Sequence, residues 1–219
     1  MEFLKVKNMN EIISKYYEKR GQVLVKNLKA RHFDAYYCAT GEEALKKALS
    51  LIPQGTSVGW GGCMSCEQIG LVDAIRKGNY QAFDRDAVPA TERERVMKQC
   101  LGADVFLTGA NAISIDGQMV NIDGNANRVG AICYGPDKVI VVAGMNKVCD
   151  DLDSAIKRAR TVAAPANMQR FERQTPCGIN GVCSDCKSED CICNQMLITR
   201  NCRPAGRIVF ILVGQDLGL

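Results

Sequence analysis

Two stretches of this chain limit its fold more than any other. Val139-Ile140-Val141-Val142-Ala143 and Ile208-Val209-Phe210-Ile211-Leu212-Val213 are uninterrupted apolar runs, rich in β-branched residues. A strand with one wet face alternates apolar and polar side chains, whereas a strand covered on both faces has no such need. Both runs are too short for a typical helix and far too short for a membrane span. They read as central strands of a sheet with helices packed against each face. Val105-Phe106-Leu107 is a third such run.

The rest of the chain alternates around them. Strands are expected near 34–39, 56–60, 80–83, 104–108, 138–143 and 207–213. A first helix is expected over 10–31, with Ile12, Ile13, Tyr16, Tyr17, Val23, Leu24 and Leu28 as its apolar stripe and Gly21 as a point of interruption. Thr40 with Glu43, Ser65 with Gln68, and Thr91 with Glu94 are capping-box pairs that open further helices. A short helix is expected over 127–133. The acidic 150–153 segment opens another, which Pro165 ends or kinks. Strands alternating with helices predict an α/β fold, a mostly parallel sheet with helices on both faces. Residues 1–219 are read as a single domain. Residues 174–204 have no clean period and form a short cysteine-rich insertion before the last strand.

The stretch over 108–129, between two buried runs, is unusually polar. It holds Asn111, Asn121, Asn125, Asn127, Asp116, Asp123 and Arg128. Asp116-Gly117 is a type I′ hairpin signal. A hairpin alone does not need so many amides and carboxyls, and loops at the carboxyl end of a parallel sheet are where ligands bind. Gly59-Trp60-Gly61-Gly62-Cys63-Met64-Ser65 is the second candidate. Glycines between a strand and a helix let the backbone approach a ligand, and free N–H groups there attract an anion. Gly59, Gly61, Gly62 and Ser65 are expected to hold that anion. Asn111, Asn121, Asn125, Asn127 and Arg128 are expected to face it. Neither a Walker loop nor a complete dinucleotide fingerprint is present, so no nucleotide cofactor is expected. Cys63 and Cys66 form a C-x2-C pair, read as coincidence or as a local redox pair.

Composition narrows the classes. A net charge of +4 with no basic cluster does not argue for nucleic acid. The opening Met-Glu-Phe-Leu-Lys-Val-Lys lacks a leader's apolar core, so a cytoplasmic location is expected. The chain has one histidine, His32, which leaves acid-base roles to Asp, Glu, Lys or Cys. Twelve cysteines is a high number, and six of them fall between Cys177 and Cys202. Closely spaced thiols among Gly178, Gly181 and Asp185 have the composition of a metal–thiolate site. Zinc and a [4Fe–4S] cluster both take four sulfurs, and spacing does not separate them. Reduced free thiols are the competing reading.

From Thr108-Gly109-Ala110-Asn111 through Asp116-Gly117, Val120-Asn121, Asp123-Gly124 and Asn127-Arg128 to Val139–Gly144 and Lys147, the chain resembles the LUD (lactate utilization protein) domain family. The likeness extends to Gly59–Gly62 and to Leu217-Gly218. It is similar in particular to a branch with a C-terminal cysteine cluster. The resemblance implies a fold like that of glucosamine-6-phosphate deaminase, ribose-5-phosphate isomerase and the coenzyme A transferases. It also implies Cys177, Cys183, Cys186 and Cys193 as the ligands of the zinc ion or [4Fe–4S] cluster, with Cys191 as an extra. A more distant likeness is to methylthioribose-1-phosphate isomerases and their relatives in translation initiation factor 2B. There the isomerase has a proton-transferring Asp where this chain has Asn111, and an amide is not a base.

The expected function is binding of a small anionic or phosphorylated metabolite, with acid-base chemistry through Asp116 or Asp123. The alternatives are an iron–sulfur accessory protein that works with partner subunits in organic-acid oxidation, and a non-catalytic metabolite sensor. A homodimer is the plain expectation for a fold of this size.

Overall fold

The computed structural model describes residues 9–219, so the opening residues on which the leader reading rests lie outside it. Ten strands run in chain order: β1 Asp34–Cys38, β2 Ser57–Trp60, β3 Gln81–Phe83, β4 Val105–Thr108, β5 Ala112–Ser114, β6 Met119–Asp123, β7 Lys138–Gly144, β8 Val148–Cys149, β9 Gln195–Thr199 and β10 Ile208–Val213. The helices are α1 Met9–Ala30, α2 Gly41–Ser50, α3 Met64–Gln68, α4 Leu71–Lys77, α5 Arg93–Gln99, α6 Asn127–Cys133, α7 Leu152–Arg158, α8 Ala164–Met168 and α9 Pro176–Asn180.

Six strands form one parallel sheet in the order β1-β10-β7-β4-β2-β3. The three apolar runs lie side by side at its centre, with Leu107 opposite Ile140 and Ile140 opposite Val209. Alternate residues of the same strand go to opposite faces, as the unbroken apolar pattern requires. Val139, Val141, Phe210 and Leu212 pack with Leu24 and Leu28 of α1. Ile140, Val142, Ile211 and Val213 pack with Ala44 and Ala48 of α2 and with Leu71, Val72 and Ile75 of α4. Each fully buried Val, Ile, Leu or Phe contributes roughly 1.5–3 kcal/mol, so these central strands dominate the packing energy.

Several local expectations change in the structure. Gly21 does not interrupt α1. It sits against the Tyr37 ring, where a methyl group would collide with Cδ2. Of the expected stripe, Tyr17, Leu24 and Leu28 reach the core, while Ile12, Ile13, Tyr16 and Val23 stay exposed. Thr40 caps α2 through Glu43 N–H as expected. Ser65 does not cap its helix. Cys63 does so instead, its Sγ accepting from Cys66 N–H at 3.2 Å. The helix then breaks at Gly70, whose φ of 78° favours glycine, and resumes as α4. Thr91 lies in a 3-10 turn, and α5 begins two residues later without a side-chain cap. Pro165 does not end its helix. A wide π turn, Ala159–Ala163, precedes it and joins α7 to α8. Proline lacks the N–H and crowds the carbonyl four residues back, and a wider turn accommodates both effects.

The polar stretch forms part of a second sheet, β8-β5-β6-β9, that the sequence reading did not include. The hairpin is real, but its turn is of a different kind. Ser114 O accepts from Gly117 N–H, Gln118 O accepts from Ser114 N–H, and of the loop residues only Gly117 has positive φ, 91°. This is a three-residue loop closed by a glycine bulge, because a type I′ turn would need positive φ at both central positions. The cysteine-rich insertion ends by supplying β9, which pairs antiparallel with β6.

Candidate functional site

The carboxyl ends of β2, β4 and β7 open onto one cleft of about 440 Å³. Gly62 and Ser65 come from the turn after β2. Gly109, Ala110 and Asn111 follow β4, and Lys147 follows β7. Asp123, Asn125, Asn127 and Arg128 close another wall. The glycine turn and the polar stretch therefore meet, at the sheet edge where open α/β folds bind ligands.

Four of the expected site residues do not line the cleft. Gly59 packs under Cys100, where a methyl group would meet Sγ at 2.7 Å. Gly61 leaves space for the Arg128 side chain, whose Cδ would lie 2.9 Å from a methyl there. Asn121 is fully buried beneath Arg128, accepting from its Nη1 at 2.7 Å. Asp116, expected as a base, sits at the hairpin tip outside the cleft lining. Its carboxylate accepts from Arg31 Nη2 at 2.7 Å, from Gln118 Nε2 at 2.9 Å and from the Ser114 hydroxyl. These partners hold Asp116 below the usual carboxylate range although burial pushes the other way.

Arg128 faces the cleft, but its guanidinium is committed inward. Nη1 donates to Asn121 Oδ1 and Gly109 O, and Nη2 donates to Asn111 Oδ1 at 3.0 Å and Ile122 O at 2.6 Å. Its side chain is 13% exposed. It ties β4, β6 and α6 together and has little capacity left for a ligand. Asp123 is similarly occupied. Its oxygens accept the N–H groups of Asn125, Arg128 and Val129, which caps α6.

The less fully committed cations of the cleft come mostly from segments the sequence reading did not single out. Arg85, Arg93, Arg170 and Arg173 line the cleft with Lys147. A methyl group at Gly62 would stand 3.6 Å from Arg85 Nη2 and 3.9 Å from Arg170 Nη1, so two guanidiniums flank the glycine turn. Asp86 lies 4.0 Å from Arg85, and no ion pair among the described residues includes Arg170. Nothing in local spacing links positions 62, 85 and 170.

Lys147 is 4% exposed, and its Nζ donates to Ser65 Oγ at 3.1 Å. The sequence reading named it only as part of the family resemblance. Burial brings the amine down to about 8. The Cys63 thiol opposes this shift, while Arg158 and Arg128 add to it. Cys63, also buried, is affected in turn. Burial alone would raise its thiol, but the hydrogen bonds from Cys66 and the charges of Lys147 and Arg128 outweigh that and lower it. Cys66 is pushed up by burial and by Cys63.

Beside the cleft lies a second hollow of about 330 Å³, lined by Cys177, Cys183, Cys186, Cys191 and Cys193 together with Ile122, Ile156, Met168 and Met196. Ile122, Ala164, Cys191 and Ile192 border both spaces. All twelve cysteines are free thiols. Burial and the crowding of the Cys191, Cys177 and Cys183 thiols push Cys193 up to about 12. Among the described residues no three His, Cys, Asp or Glu side chains are grouped closely enough to hold a single metal ion. Cys202 lies outside the hollow and accepts from Ile208 N–H at 3.3 Å.

The family model of the LUD domain matches residues 21–213. The chain belongs to the LUD domain family. No curated protein matches it. Among solved structures, a DUF162 family protein from Deinococcus radiodurans is similar at 13% identity, covering 94% of this chain and 98% of that one, with a TM-score of 0.48. The eIF2B delta subunit from Chaetomium thermophilum is similar at 15% identity over 63% of this chain and 57% of its own, with a TM-score of 0.34. The tetrameric eIF2B-beta2-delta2 complex from C. thermophilum gives 16% identity, 76% and 53% coverage and a TM-score of 0.39. Among the described residues, no helix of this LUD protein is long and apolar enough to cross a membrane.

Proposed function

We propose that this LUD protein binds a small, multiply anionic metabolite across the carboxyl ends of β2, β4 and β7. Arg85 and Arg170 anchor the carboxylate or phosphate over Gly62. Asn111, Asn125 and Asn127 contact the rest of the molecule. The reading rests on one observation: two guanidiniums flank a bare glycine turn, Arg85 with only a 4.0 Å contact to Asp86 and Arg170 in no ion pair among the described residues. Like charges gathered in a concave site favour an anion between them, and guanidinium pairs suit carboxylate and phosphate oxygens. The family name, lactate utilization, agrees with an organic-acid ligand. With Asp116 at the hairpin tip and Asp123 holding α6, acid-base work in the cleft falls to Lys147 and Ser65. Thermal-shift measurements with phosphorylated and carboxylated metabolites at low salt test the reading. Stabilisation by such compounds is expected in the wild type and is expected to be lost in Arg85→Ala and Arg170→Ala. If no such compound stabilises the wild type, the reading falls.

A second reading concerns the cysteine hollow. Five thiols line one hollow and are the donor type a sulfur-ligated cluster or zinc takes, although in this structure no three are close enough to hold one metal ion and they would have to draw together to do so. Cys177, Cys183, Cys186 and Cys193 would hold it, with Cys191 on the wall shared with the cleft. When bound, such a group supplies one-electron transfer. Zinc would instead act as a staple for a segment with few apolar side chains. Anaerobic purification with iron, sulfide and zinc analysis separates them. A brown protein with about four irons per chain supports the cluster. A colourless protein with zinc supports the staple, and one with neither metal leaves reduced thiols.

A further inference from the structure

Lys147 is placed in a way that anion binding alone does not explain. The β7 strand ends at Gly144, and the turn Met145–Lys147 brings the side chain under Gly109 and Gly218. A methyl group on Gly218 would meet Nζ at 2.7 Å and Ser65 Oγ at 2.8 Å, so the backbone closes tightly over the pair. The amine borders the cleft, and no ion pair among the described residues includes it. The titratable groups around it are the Arg128 and Arg158 cations and the Cys63 and Cys66 thiols. A cation meant only to attract anions gains from full ionisation, and the cleft already has arginines for that role. An uncharged amine is a nucleophile.

We propose that Lys147 forms an imine with an anionic aldehyde or 2-oxo acid held in the cleft. The Nζ lone pair attacks the carbonyl carbon while the carbonyl oxygen takes up a proton, giving a carbinolamine. The C–O bond then breaks and the C=N bond forms, the oxygen leaving as water that carries the two hydrogens lost by the amine. Ser65, bonded to Nζ, relays the proton. No oxidant or reductant is needed, and hydrolysis reverses the step. The depressed amine fits this role. With a value of about 8, roughly a tenth of Lys147 is neutral at pH 7, far more than for an ordinary lysine. The proposal rests on the anion-binding reading, since the arginines hold the substrate's charged end.

The test is trapping of the full-length protein with glyoxylate, pyruvate or glyceraldehyde 3-phosphate and sodium borohydride, read by intact mass and peptide mapping. One adduct per chain is expected, on Lys147, and none at that position in Lys147→Arg. Trapping is expected to rise through about pH 8, not through the range of exposed lysines. Ser65→Ala is expected to slow it by about tenfold or more. If Lys147→Arg does not fold, the mapped position in the wild type decides. Thermal stabilisation by these compounds without an adduct on Lys147, or equal labelling of many lysines, overturns the imine and leaves the anion cleft standing. Neither an adduct nor stabilisation, with lactate and glycerol phosphate also inert, removes both.

Discussion

Arg128 and Lys147 are both buried cations on the cleft wall, and their energetics are opposite. Arg128 donates to four acceptors, so removing it strands buried Asn121 Oδ1 and takes one donor each from Ile122 O, from Asn111 Oδ1, which keeps Ile122 N–H, and from Gly109 O, which keeps the Thr108 hydroxyl. Arg128→Ala is expected to cost about 3–5 kcal/mol in urea denaturation, in line with loss of one member of a buried polar network. Arg128→Lys should recover little, because an ammonium cannot span the same acceptors. Lys147 carries the reverse sign. Its folded-state value, about 8, lies below the ordinary 10.5, so the native chain holds that proton less tightly than the unfolded chain does. The penalty is full below about pH 8 and fades as pH rises from about 8 towards 10.5. Lys147→Met is therefore expected to be more stable than the wild type by up to about 3 kcal/mol at pH 7. The gap should narrow by pH 10 when both are unfolded in denaturant.

The β5–β6 hairpin shows how one element serves two purposes. Its tip is fastened to α1: Asn27 Nδ2 donates to Ile115 O at 2.8 Å, and Arg31 reaches Asp116. Its base carries Asn111, Asn121 and Asp123 to Arg128. A methyl at Gly117 would face two obstacles, a φ of 91° and the Asn27 backbone at 3.1 Å. Gly117→Ala is expected to cost about 1–2 kcal/mol, lowering the melting temperature by a few degrees. The Asp-Gly signal for this hairpin was legible because turn chemistry is set by adjacent residues. Asp116's partners were not, since Arg31 lies on a separate helix. Ser65 was legible as a site residue for the wrong reason. Its hydroxyl accepts from Lys147, 82 positions away, and caps nothing.

Across the whole molecule, charge concentrates where the sequence looks unremarkable. A net charge of +4 hides a cleft where Arg85, Arg93, Arg128, Lys147, Arg170 and Arg173 meet only Asp86 and Asp123 among acidic residues. A concave site with that imbalance attracts anions over a distance, and salt screens the attraction. Binding of an organic phosphate, measured by calorimetry, is expected to weaken several-fold between about 0.05 M and 0.5 M salt, over which the screening length drops below ~5 Å. Arg170→Ala should flatten that dependence.

The sequence by itself determined the layered α/β framework, its central strands, the hairpin and the two polar segments that border the cleft. Those follow from apolar periodicity, β-branching and turn residues, which act over a few positions at a time. Tertiary structure alone decided the second sheet, the sharing of one wall by the cysteine hollow and the cleft, and the division of labour among the cations. A hydrogen-bond donor is available to a ligand only if no acceptor from another element reaches it first. For Lys147 that acceptor, Ser65, lies 82 positions away, and for Arg128 the acceptors become neighbours only once the β5–β6 hairpin folds.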